Sequence, residues 1–484
     1  MAILVNRSVG GTLLSMAVPM LAGTLALNAY NLTDTWFISR LGKIPLAAMG
    51  YTLPVVMLLA CVARGIGAGV TTLVSHAIGR GDHSLAAKLV THSTWLMLVL
   101  SAIVTVGGYL LVTPVFSMLG AEGQTLELVG QYMRTWYAGA IFMILPMLGN
   151  GVLISAGDSK SASRFMMIGM FLNLVLDPIL IFGWAGIPAL GMFGAALATV
   201  IAQAVSTGWL VWLLCRKHRL IVNLPLSGRD FLASLSHISG FAIPSILSLI
   251  LMPVSAGVIT KLLSRFGDAT IAAVGAAGRI EMFAFVVPMA LGISLTPFVS
   301  QNFGANRPDR VHRAHVFSTW FALGYGALTA VVFFVAAPFM ARLFSTDQHV
   351  VDTLVSYIRI ISFGYGLMEV HRYCGFFLMG THKPKSATML NIIRIVVLLI
   401  PLSWLGARFW GVTGVFGGRL VTDVLGGLIA LAWVSRSLKA AKTAHQAYDS
   451  HVVGPDHKTV EQRPQKQVNG EGQKHPDEPE YLAP

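Results

Sequence analysis

The chain has 484 residues, 55% of them hydrophobic and only 11% charged, with a mean hydropathy of +0.70. Soluble domains carry roughly 25% charged residues, so this composition excludes an ordinary soluble fold and points to a polytopic membrane protein. The net charge of +13 fits basic loops at one membrane face, because no basic cluster carries a nucleic-acid-binding pattern, and the three cysteines form no CxxC or metal-ligand spacing.

Twelve apolar segments of spanning length follow in order, near 12–37, 46–75, 90–113, 131–155, 163–182, 191–214, 237–262, 271–299, 315–341, 353–379, 387–406 and 411–435. They are too long and continuous for barrel strands, so the predicted fold class is an all-α polytopic membrane protein with twelve transmembrane helices. The first segment follows a single Arg and carries no A-x-A site, which predicts a first span, not a cleaved signal. Lys and Arg concentrate in alternate loops, among them Arg80, Lys88, Lys160, Arg216, Lys217, Arg219, Arg307, Arg310, Arg313, Lys383 and Lys385, and that bias predicts both termini on the cytoplasmic side. Residues 441–484 are polar, rich in Pro, Gln and Glu, and predict a disordered cytoplasmic tail.

The chain resembles itself at an offset of 225 residues: "SRLGKIPLAAMG" (39–50) aligns with "SRFGDATIAAVG" (264–275). Pro19 pairs with Pro244, Ser75 with Ser300, Gly79 with Gly304 and Arg134 with Arg359. The offset drifts to 223 at Pro178 and Pro401, and to 220 at "GMFGAALAT" and "GVTGVFGGR". Two pseudo-symmetric six-helix lobes are therefore expected, at 1–220 and 221–440, in the manner of transporters that rock two lobes about a central cavity.

The halves differ where acids enter apolar segments. Asp34 aligns with Ile259, Asp177 with Ile400 and Asn173 with Val396. Tyr30 and Asp34 are four residues apart on the first helix, and Asn173 and Asp177 four apart on the fifth, so each pair shares a face. A charge at membrane depth costs about 3 kcal/mol on insertion scales. Two carboxyls facing one cavity would repel, giving a group that takes and releases a proton near neutral pH; the same oxygens would also suit sodium. The bland alternatives are an Asp34–Arg40 ion pair near the interface and Asp177 as a helix-end cap before the loop at 183–190.

The "N-L-x-D" end of helix one, "N-x-x-x-D-P-I-L-I" in helix five, "LVSHAIGRGD" after helix two and "VSQNFGAN" after helix eight resemble the multidrug and toxic compound extrusion (MATE) family over about residues 10–435, and within it the DinF-type branch. That resemblance implies a bacterial inner-membrane antiporter, coupled to H⁺ or Na⁺ and needing no other cofactor, that exports amphipathic, often cationic, compounds. It implies a cation-coupling site of Tyr30, Asp34, Asn150, Asn173, Asp177 and Thr199. Helix seven lacks the acid of the sodium-coupled pattern, but Glu369 with Tyr365 four residues earlier, and Glu281, leave a possible second site.

The remaining intramembrane charges, Arg64, Arg279, Glu281, Glu369, His371, Arg372, Arg394 and Arg419, read either as functional groups or as a self-satisfied network in the second lobe. Arg64, in "CVARGIGAG", has no partner that the sequence can name. No GxSxG, HExxH or Walker pattern is present, so an enzyme is not expected. A flippase of lipid-linked saccharides is the other transporter reading; the acidic first lobe favours cationic cargo over it. The expected partners are the lipid bilayer and small molecules, with no nucleic acid and no obligate protein partner implied.

Overall fold

The computed structural model describes residues 3–184, 186, 188–222 and 228–452. The helices are α1 (Val9–Ser39), α2 (Lys43–Gly79), α3 (His83–Met118), α4 (Gly123–Ala138), α5 (Ala140–Ser155), α6 (Ser159–Phe182) and α7 (Gly191–Trp212), then α8 (Gly228–Leu263), α9 (Asp268–Ala284), α10 (Val286–Gly304), α11 (Pro308–Arg342), α12 (Gln348–Ile361), α13 (Tyr365–Gly380), α14 (Pro384–Ile392) and α15 (Ile400–Val452). Short polar residues start several of them. Asp82 accepts from the amide of Leu85 at 2.9 Å, Asp158 from that of Ser161 at 3.1 Å, and Asp347 from that of His349 at 2.8 Å, each satisfying a first-turn donor.

Among the described residues, nine helical stretches are long and apolar enough to cross a bilayer. Two bent pairs add to them, α4–α5 (54°) and α9–α10 (56°). The stretch Pro384–Lys439 is itself two spans. Its backbone leaves helical geometry at Trp410 and at Gly411, where φ is +59°. The chain then doubles back, with Gly406 against the backbone of Gly414 and Arg394 alongside Gly426. Twelve spans result, as expected. The helix that ends the twelfth span continues to Val452, past the boundary at 440 where a disordered tail was expected, and the rest of that tail, 453–484, lies outside the described residues.

The two lobes, α1–α7 and α8–α15, meet at the end that carries the N-terminus and the basic loops. Gly79 packs on the backbone carbonyl of Gln301, and its repeat mate Gly304 packs on that of His76. No side chain fits at either place. Ser300 Oγ donates to the Thr72 carbonyl at 2.8 Å, and Gln301 Nε2 to the Ser155 carbonyl at 2.6 Å. The His76 and His382 rings, one from each lobe, lie 4.1 Å apart between Phe303 and Phe241. The buried apolar core follows the same division. One cluster runs through the first lobe and on into Leu291, Leu295, Phe298 and Phe377 of the second. A separate cluster, around Leu263, Ala277, Leu354, Tyr357 and Phe416, fills the second lobe at the opposite end. The lobes are thus fused at the basic end, while at the opposite end the second lobe keeps its own core.

Candidate functional site

Three helices of the first lobe assemble one polar cluster. Gly194 of α7 packs against the Leu180 carbonyl of α6, an approach that any side chain there would prevent, and it brings Thr199 to Asn173. The Tyr30 hydroxyl reaches Thr199 Oγ1 at 3.2 Å. Asn173 Nδ2 donates to Asp177 Oδ1 at 3.0 Å and to Thr199 Oγ1 at 3.4 Å. Asp177 and Asn173 are fully buried and Asp34 is 4% exposed. Asp34 lies near enough to Tyr30, Tyr132 and Asp177 to interact with each electrostatically.

Five of the six residues expected here, Tyr30, Asp34, Asn173, Asp177 and Thr199, therefore come together. Asn150 stands apart: its amide faces Met166 Sδ at 3.8 Å, seven residues or about 10 Å along α6 from Asn173. Neither bland alternative holds. Arg40 stacks on the Trp36 ring at 5.0 Å, and Asp34 forms no ion pair among the described residues. Asp177 sits five residues inside α6, which runs through Pro178 to Phe182 and closes on left-handed Gly183. Tyr132 was not expected; the one sign of it is a hydroxyl-bearing aromatic two residues before Arg134 of the repeat.

The cluster has more acceptors than donors. Among the described residues, Asp34 Oδ1, Asp177 Oδ2 and Asn173 Oδ1 are buried with no hydrogen-bond partner. An ionised carboxylate accepts only, and a buried acceptor without a donor is costly. The arrangement can take up a proton, which turns one carboxyl into a donor, or a cation ringed by oxygens.

The second lobe holds a different construction. Glu281 Oε1 accepts from Arg419 at 2.8 Å, Tyr357 at 3.0 Å and Tyr365 at 3.2 Å, and Arg419 also reaches the Tyr357 hydroxyl. Arg394 pairs with Asp423 at 2.5 Å, and Arg372 with Glu369 at 3.0 Å. The Arg372–Glu369 pair is poorly aligned, so neither Glu369 oxygen accepts a directed hydrogen bond. Tyr365 turns to Glu281 and not to Glu369, so the possible second site is not drawn together as spaced in the sequence. Arginine occupies the place beside each carboxylate. Fully buried Asp423 completes this network and was missed; its signal was its position four residues after Arg419 in "GRLVTD".

The sequence model of the MatE family matches this chain twice, over residues 19–179 and 244–405. The chain belongs to the MatE family. Its two matches begin 225 residues apart, the offset of the internal repeat. Similar family members include an FAD transporter of Shewanella oneidensis, 34% identical over 91% of this chain and 97% of that protein. The multidrug export protein MepA of Staphylococcus aureus is 28% identical over 87% of this chain and 92% of MepA. The crystal structure of the Vibrio cholerae MATE transporter VcmN in its bent form matches with a TM-score of 0.85 and 29% identity, covering 90% of this chain and 98% of VcmN. As a MatE protein the chain is a multi-pass membrane transporter and not an enzyme.

Proposed function

We propose that the chain is a proton-coupled exporter that moves amphipathic small molecules out of the bacterial cytoplasm by alternating access. The observation that carries this reading is the set of three orphaned acceptor oxygens shared by Asp34, Asp177 and Asn173. One proton supplies the missing donor and removes the repulsion between two buried carboxylates. The basic end is assigned to the cytoplasm by its Lys and Arg loops. The lobes are joined there, so the conformation is the outward-facing one, in which a proton from outside reaches Asp34 or Asp177. Protonation weakens the hold on cargo, and by linkage cargo binding weakens the hold on the proton equally. The names of the relatives cover FAD and multidrug export alike, so the cargo is an amphipathic small molecule.

The test is efflux from everted vesicles with pH and sodium gradients imposed separately, using ethidium and FAD as probes. Efflux driven by the pH gradient, and reduced at least tenfold in Asp34→Asn and Asp177→Asn, is expected. Efflux driven by sodium alone would move the coupling ion to Na⁺, and efflux with neither gradient would favour passive flipping.

A further inference from the structure

The sequence favours cationic cargo because its acids lie in the first lobe, but those acids are buried, and what a cargo meets is what the cleft exposes. On α2, residues 64, 68, 71 and 75 form one stripe at helical spacing. Neighbours on either side fix its direction. Gly65 and Gly69 press on Ile246 and Phe241 of α8, Gly67 on Met147 of α5, Gly151 of α5 lies against Thr71, and Gly79 meets Gln301 of α10. The stripe therefore faces the space between α5 of one lobe and α10 of the other, which is the inter-lobe cleft. Along it, Ser75 is fully buried at the fused end, Ala68 and Thr71 are half-buried, and Arg64 is exposed. Arg64 stands where the cleft begins to open, and among the described residues no carboxylate pairs with it.

The repeat supplies its counterpart. Residue 64 aligns with Met289 at the offset of 225, and Met289 Sδ lies 3.8 Å from Arg372 Nη1. The Arg372 guanidinium, a quarter exposed and stacked on Phe285 at 5.2 Å, occupies in the second lobe the level that Arg64 occupies in the first. Its partner Glu369 is 1% exposed. α2 and α13 thus offer the cleft one guanidinium group each, while the carboxylates of Asp34 and Glu369 are buried.

We propose that Arg64 and Arg372 form an oxyanion-recognition site in the cleft, and that the cargo is an amphipathic organic anion whose phosphate or carboxylate they hold. A guanidinium suits this task, since its planar donor fork matches both oxyanions and it stays charged. The inference deepens the exporter reading and rests on it, because the cleft must be the transport path.

Equilibrium binding to the purified full-length transporter tests it, with no gradient and therefore no dependence on coupling. The probes are FAD and riboflavin, which share a ring system and differ in the phosphates, and ethidium as an organic cation. FAD should bind roughly tenfold or more tightly than riboflavin, with the preference falling at raised salt. Arg64→Gln should weaken FAD roughly tenfold, leave riboflavin within about twofold and leave the melting temperature unchanged, whereas Arg64→Lys, which keeps the charge and loses the fork, should weaken FAD by a smaller factor. Arg372→Lys, which keeps the charge beside Glu369 but loses the planar fork, should weaken FAD by a smaller factor. Equal binding of FAD and riboflavin, unchanged FAD binding in Arg64→Gln, or a preference for ethidium that Arg64→Gln does not increase would each overturn the site. Asp34→Asn should still bind FAD, so a failure of proton coupling would show in vesicles and not here.

Discussion

At the scale of single residues, the molecule treats its buried acids in two ways. Among the described residues Asp34 and Asp177 pair with no arginine, while Glu281, Glu369 and Asp423 each have one beside them. Removing one member of a buried pair strands the other, at a cost of roughly 3–5 kcal/mol. Asp423→Asn should therefore lower stability by about that amount, because it strands Arg394, whereas Arg419 keeps Glu281. Thermal unfolding in detergent reads this, and a melting temperature like that of the wild type would contradict it. Asp34→Asn, with no ion pair to break, should leave the melting temperature unchanged or raise it. The spacing of Tyr30, Asp34, Asn173 and Asp177 makes that cluster legible in the sequence, because helical spacing puts each pair on one face and the repeat shows the absence of Asp34, Asn173 and Asp177 from the second lobe. Tyr132 and Asp423 were not legible in that way. Each acts through a neighbour on another helix, and spacing within one segment carries no information about such neighbours. The polarity of the cleft was hidden for a related reason. Sequence places a charge in a span, but not its direction of exposure.

At the scale of elements, glycine decides how closely the spans approach. Gly79 and Gly304, mates in the repeat, each receive a backbone carbonyl of the other lobe where a side chain would stand. Gly79→Val should force α2 and α10 apart at the basic end, at an overpacking cost of about 1–3 kcal/mol. Ser75→Cys reports on this. The Ser75 hydroxyl is fully buried in the junction and has no hydrogen-bond partner among the described residues. In a background without Cys61, Cys215 and Cys374, the new thiol should resist maleimide in inside-out membranes and become reactive when Gly79→Val is added. Gly107→Val, at a position with open space around it, is the control and should change nothing. Unchanged protection in Gly79→Val would mean that α2 and α10 do not form the seal. Helix number and order were readable from the apolar segments. The bends were not, because the α4–α5 break lies at Gly139, pressed by Val200 of α7, and the α9–α10 break at Phe285; both sit within uninterrupted apolar runs.

At the scale of the whole molecule, the repeat made the two-lobe plan visible, whereas which end is shut depends on contacts between distant segments such as His76 and His382. His382 lies in the turn between α13 and α14, and burial, then the neighbouring His76, hold its pKa down from 6.5 to about 4. Among the described residues, the other charge acting on the ring pair is Arg80, which caps the end of α2. A ring whose pKa is depressed in the closed form favours that form fully above its ordinary value of 6.5 and progressively less as pH falls toward 4. The junction at the basic end should therefore loosen between about pH 6.5 and 4. Ser75→Cys labelling should rise across that interval, and the rise should be smaller in His382→Gln; a profile unaffected by that substitution would assign the seal to the glycine contacts alone. The doubling back at Trp410 and Gly411 carries a consequence for biogenesis. Two spans joined by so short a reversal, with Gly406 and Gly414 in backbone contact, leave no tether long enough for one to enter the bilayer ahead of the other. They must insert as a helical hairpin, so the Arg394–Asp423 pair crosses the hydrocarbon already joined and neither charge enters lipid alone.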